Sequence, residues 1–217
     1  MKLRRLLYAR PSLRTQRRLT RGMQILLVGI VVYGFAYGQP KAITNGGLGL
    51  FVTFVPALVE RNYDIPLDPW LGVWITSAVF LHTLGSAWFY AQIPWWDHLT
   101  HALSASLIAG AGYTTLRAID LHSDEIHIPS RFAFVFILVV VLAFGVVWEL
   151  FEFGLDIVAD ETGIQMPLAQ YGIDDTVLDL MYNSVGALIV AVFGQAHLSG
   201  VAERVRDGLF EAAENRR

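Results

Sequence analysis

Apolar residues run along this chain in six stretches separated by short polar segments: Met23–Gly38, Ala42–Val59, Trp70–Ile93, His98–Leu116, Phe132–Leu155 and Val177–His197. A helix that crosses a bilayer needs about 20 mostly apolar residues, with a range of roughly 17 to 25. Phe132–Leu155 is the plainest of the six, and Met23–Gly38 is short but can be extended if Arg21 snorkels. Ala42–Val59 is interrupted by Asn45, three glycines and Pro56. Trp70–Ile93 begins well, because Asp68 can cap a helix whose first turn holds Pro69. Beyond Gly200, the spacing of Val201, Val205, Leu209 and Ala213 predicts an amphipathic helix lying on a membrane surface. The pattern therefore predicts an all-α, polytopic membrane helical bundle of about six transmembrane helices. It divides into a basic N-terminal segment (1–21), the spanning domain (22–197) and a C-terminal amphipathic helix (198–217).

Charge orients the bundle. The first 21 residues carry eight Lys or Arg and no acid. Next to an apolar run, such a segment reads as a juxtamembrane anchor for anionic lipid rather than a nucleic-acid arm. Arg17-Arg18 and Ala36-Tyr37-Gly38 have some features of an export signal, but further spans follow, so the segment is expected to remain attached. With the N-terminus inside, the inner segments also hold Arg61, Arg117, Arg131, Arg204, Arg206, Arg216 and Arg217, and the outer segments keep only Lys41. This asymmetry predicts both termini in the cytoplasm and a multi-pass protein of the cell membrane. A re-entrant Ala42–Val59 would reverse everything after it and turn the C-terminal arginines outward. Composition agrees with a membrane protein, being 54% hydrophobic and 16% charged, and the absence of cysteine excludes disulfides, thiolate metal sites and a cysteine nucleophile.

Against that apolar background, a few polar residues stand out. Asp97 and His101 are four apart and stack on one side of their helix. Glu149, Glu152 and Asp156 share a face of the next, and Asp175, Asp179 and Asn183 share a face of the last. The topology brings all three stripes near the outer end, with Glu149 and Asn183 on the order of 10 Å below the boundary and His82 deeper. Charges facing lipid cost several kcal/mol each, so these faces are expected to meet inside the bundle. No buried Lys or Arg is placed to neutralise them. Imidazole plus carboxylate suits zinc, iron or manganese, which makes His82, Asp97, His101, Asp175 and Asp179 candidate ligands, with Glu149 and Glu152 as ligand or general base. Each also has a structural reading. Asp175 or Asp174 can serve as a helix N-cap, and His82 as an interhelical hydrogen-bond partner. His98 points about 100° away from Asp97. His122, His127 and His197 read as surface residues, and the tryptophans as interfacial anchors.

The order His82-x-x-Gly85, Asp97-x-x-x-His101, Glu149-x-x-Glu152, Asp175-Thr176-x-x-Asp179 and Asn183-x-x-Gly186-Ala187 resembles the YjdF-like membrane proteins, with a fainter likeness to VanZ-like proteins through the Asp-x-x-x-His element. The likeness runs from about residue 70 to 195 and implies a multi-span protein whose marked polar positions match the cluster just described. It implies no activity. Trp96 and His98 stand where that family often has a tyrosine and a basic residue.

Three functions fit these features: a metal-dependent enzyme acting on a lipid-like or envelope substrate, a cation- or proton-coupled transporter, and a non-catalytic scaffold. Transport needs polar residues continuing inward, whereas Phe132–Val147 and Val185–Gly194 contain no charged or hydroxyl residue. No P-loop, dinucleotide fingerprint, nucleophile elbow or nucleic-acid motif is present.

Overall fold

A computed structural model describes residues 11–63, 67–122, 125–163, 168 and 172–214. Among these residues, seven α-helices follow in order: α1 (Leu13–Tyr37), α2 (Pro40–Val52), α3 (Val55–Tyr63), α4 (Pro69–Leu84), α5 (Pro94–His122), α6 (Ser130–Thr162) and α7 (Ile173–Glu214). There is no strand among the described residues.

Local chemistry sets several of the boundaries. Ser12 caps α1 by accepting from the backbone N–H of Thr15, and the helix stops at Gly38, whose φ of 62° is left-handed. As anticipated, Asp68 caps α4, with Oδ1 accepting the Trp70 N–H at 2.9 Å and Pro69 opening the first turn. The second apolar stretch breaks at Thr53–Phe54, between α2 and α3. Pro56 has no N–H to return to the preceding turn, which accounts for the interruption. Asp174 and Asp175 lie within the first turn of α7, where acids complement the helix dipole, rather than preceding it as a cap. That helix continues without a break through residue 198, so the last apolar stretch and the amphipathic C-terminal segment are one rod.

Among the described residues, five helical segments are long and apolar enough to cross a membrane: Leu13–Tyr37, Pro40–Asn62, Pro69–Phe89, Ser130–Thr162 and Ile173–Phe193. The 29-residue α5 has the length but carries Asp97, His98, His101, Arg117 and Asp120. Its polar residues do not count against a spanning role, because the molecule is partitioned inside out. Glu149 and Asp179 are 4% and 1% exposed, while Val139 and Leu150 are 57% and 65% exposed. That is the distribution a lipid solvent favours.

The helices pack as two groups. The first surrounds Leu27, Ile30 and Ala42 and is built from α1, α2 and α4. The second surrounds Ala105, Ala109, Ile137, Val141, Ala187 and Val190 and is built from α5, α6 and α7. Its tightest seam is α5 against α7. A Cβ added to Gly186 would collide with the Ala102 carbonyl and stand 3.0 Å from the Ser106 N, so only glycine permits the two backbones to approach this far. Trp74 joins the groups by reaching from α4 into the second core and donating its indole N–H to Ser106 Oγ at 3.1 Å.

Candidate functional site

A cavity of about 190 Å³ opens where the two groups meet. Lys41 at the start of α2, and His82 with residues 85–88, 90 and 91 at and beyond the end of α4, line it from the first group. The second group contributes Asp97 and His101 from the start of α5, Glu152 from the end of α6, and Asp175 and Asp179 from the start of α7. Leu168, between α6 and α7, completes the wall. The starts of α2, α5 and α7 and the ends of α4 and α6 thus lie at one end of the molecule, which requires the helices to alternate in direction.

His101 is central. Its Nε2 is 3.7 Å from Asp97 Oδ1 and 3.6 Å from Asp179 Oδ2, and one ligand atom from each of the three residues falls within 4.8 Å of the others. These separations are too long for hydrogen bonds. Ligands about 2.1 Å from a tetrahedral ion stand roughly 3.4 Å apart, close to the observed spacing. Asp179 Oδ1 is buried and has no hydrogen-bond partner among the described residues, and neither aspartate has a Lys or Arg partner among them. A buried oxygen left in this condition costs on the order of 1–3 kcal/mol or more, and a cation would remove the cost.

Behind this group runs a hydrogen-bonded chain. The Tyr90 hydroxyl is 2.7 Å from His82 Nδ1 and 3.1 Å from Thr100 Oγ1, and Thr100 donates to the Asp97 carbonyl at 2.8 Å. A π-helical turn, Gly85–Phe89, returns Tyr90 over the end of α4, closed by the Tyr90 N–H donating to the Gly85 carbonyl at 3.0 Å. A Cβ on Gly85 would strike the Tyr90 ring, so the glycine of the His82-x-x-Gly85 pair makes room for the tyrosine that holds the histidine.

Asp97 and His101 therefore share a face, and Asp179 meets them from α7. His82, Asp175 and Glu152 line the same cavity outside the tight group. Glu149 is buried beside it, with Oε2 accepting from Thr176 Oγ1 at 2.9 Å and Oε1 unpartnered among the described residues. Asn183 lies deeper on the Asp179 face, buried against Gly145, where an added Cβ would stand 2.8 Å from its Nδ2. His98 faces elsewhere and stacks on Tyr182 with ring centroids 4.3 Å apart and planes 4° from parallel. His127 is exposed near Asp120, His122 is exposed, and the His197 side chain lies outside the described residues. Tyr90, Thr100 and the place of Lys41 in the wall had no counterpart in the sequence reading, where Thr176 entered only as part of the Asp175-Thr176-x-x-Asp179 motif.

The fold and the buried polar group define a class: a polytopic helical membrane protein with a histidine–carboxylate cluster facing a cavity at one end of the bundle. The chain belongs to the family described as "Predicted membrane protein (DUF2238)", whose model matches residues 19–200. It is also similar to an uncharacterized protein of Thermotoga maritima, with 28% identity over 171 residues that cover 77% of this chain and 84% of that protein. No solved structure matches.

Proposed function

We propose that this chain is a YjdF-like, metal-dependent enzyme of the cell membrane, acting at the outer face on a lipid-like or envelope substrate. In this reading Asp97, His101 and Asp179 hold a zinc, iron or manganese ion. The observation that carries it is the convergence of one imidazole and two carboxylates from two helices, at ligand spacing, beside a cavity and with a buried Asp179 oxygen unpartnered among the described residues. A metal bound there would supply Lewis acidity toward a carbonyl or phosphoryl oxygen or toward water. Glu152 lines the cavity and is the candidate general base, while Glu149, tied to Thr176, braces α6 against α7. Tyr90 orients His82, and both face the same space. The basic segment 1–21, which runs into the first turns of α1, anchors the chain through anionic lipid.

Cation or proton transport is the second reading. It draws on Thr76, which is buried on α4 inward of His82 with Oγ1 unpartnered among the described residues. The apolar Phe132–Val147 and Val185–Gly194 count against a continuous path.

Elemental analysis of protein purified in detergent, without a His-tag or chelator, tests the proposal. The wild type should carry near-stoichiometric metal, and Asp97→Ala and Asp179→Ala should lose it while retaining helical circular dichroism. A folded wild type that stays metal-free after reconstitution with zinc, iron and manganese would sink the metalloenzyme reading and leave transport or scaffolding.

A further inference from the structure

Lys41 is out of place by every local rule. It sits in the first turn of α2, directly after Pro40, where the positive end of the helix dipole disfavours a cation. It is the basic residue that the charge pattern leaves on the outer side. It lines the cavity that Asp97, His101 and Asp179 also line, yet makes no ion pair among the described residues. The cavity wall thus holds one ammonium on the first helix group and one cation-ready cluster on the second. A ligand that satisfies both must be anionic and must present several oxygens in different directions. Phosphate does this, and lysine is a common point-charge partner for it. A carboxylate offers only two coplanar oxygens.

Building on the metal reading above, we propose that the cavity binds a phosphate ester, whose phosphoryl oxygens are shared between the Lys41 ammonium and the metal held by Asp97, His101 and Asp179. A divalent metal would offset the charges of Asp97 and Asp179 and leave its open positions for an anion, while Lys41 would offset one of the two remaining wall carboxylates, Glu152 and Asp175. Without it, the cluster carboxylates would repel the same ligand. The chemistry is shared by a phospholipid headgroup and a soluble phosphate ester, and a cavity of about 190 Å³ accommodates the phosphoryl end of either.

Calorimetry on metal-loaded full-length protein in detergent tests this with three probes: glycerol phosphate, short-chain phosphatidate in the same micelles, and acetate. Glycerol phosphate or phosphatidate should bind and acetate should not. Lys41→Gln should weaken the binding by about tenfold, and Lys41→Arg should retain most of it. Much tighter binding of phosphatidate identifies a lipid headgroup as the source, while equal binding of the two identifies a soluble ester. Metal content is measured on each sample after titration. Bound metal with no phosphate binding, or with binding unchanged in Lys41→Gln, overturns this inference and spares the metal reading. If Lys41 only offsets its acidic neighbours, the glutamine variant will hold metal more tightly and bind phosphate no worse. Absence of metal in the folded wild type overturns both.

Discussion

Asp120 closes the last turn of α5, at the opposite end of that helix from the cavity. Its Oδ1 accepts the Ile128 backbone N–H at 2.8 Å, and its Oδ2 pairs with the Arg117 guanidinium. Chiefly the Ile128 N–H, with Arg117 assisting, holds the carboxyl below the usual carboxylate range against the opposing effect of desolvation. A group whose pKa is lower folded than unfolded stabilises the fold above its unfolded value, about 4, and loses that contribution as pH falls through the folded value. Asp120→Asn should therefore lower the thermal midpoint at pH 7 and narrow the gap to wild type below pH 4, read in detergent by circular dichroism. A constant gap across that range would assign the effect to something other than ionisation. At this scale the sequence was informative where helical spacing alone decides. Asp97 and His101, four apart, do share a face, and His98, about 100° round, does turn away onto Tyr182. It was silent on Tyr90. In an unbroken α-helix, a residue eight positions beyond His82 is rotated roughly 80° from it. The π-helical turn absorbs one residue and brings the two into contact, and no periodic pattern announces such a turn.

Among the elements, the α5–α7 pair fixes the site, because Asp97 and His101 come from one and Asp179 from the other. Its closeness depends on Gly186, where a methyl group would have to displace the Ala102 carbonyl. Gly186→Ala is expected to cost roughly 1–3 kcal/mol, as overpacking does, and to move Asp179 away from His101. Gly154→Ala on α6 is the matched control. Its added Cβ meets nothing within 4 Å, so helix propensity alone should leave it neutral or slightly stabilised. Unfolding midpoints of the two variants in one detergent, with metal content alongside, give the comparison, and equal midpoints would refute the close-approach argument. Ala102, Ser106 and Gly186 are small enough for close packing by residue type alone. Which helix they meet was not legible, because one chain's spacing reports faces and not neighbours. The same limit hid Lys41, which reaches the cavity only because α2 packs on α4.

For the whole molecule, the cavity gives the alternation of helix direction an anchor, since the starts of α2, α5 and α7 share one end with the ends of α4 and α6. The charge pattern gives the expected orientation: Arg61, Arg117, Arg131 and Arg204 lie toward the end opposite the cavity, as do Arg14, Arg17 and Arg18 in the first turns of α1, so the cavity end is expected outside. The chain's lack of cysteine makes this directly testable. Gln92→Cys and Asp160→Cys place exposed thiols at the cavity end, and Glu125→Cys places one at the other. In intact cells a membrane-impermeant maleimide should label the first two and spare the third, which should react only after permeabilisation. The reverse pattern would put the cavity in the cytoplasm and remove the proposed outer-leaflet substrate, although the histidine–carboxylate cluster itself would stand. Labelling at both ends without permeabilisation would contradict a spanning bundle altogether. Positions 92 and 160 carry the most weight, because Gln92 lies between α4 and α5 and Asp160 in the last turn of α6. Their agreement would fix the direction of α4 and α6 together, and with it the side from which a ligand reaches Asp97, His101 and Asp179.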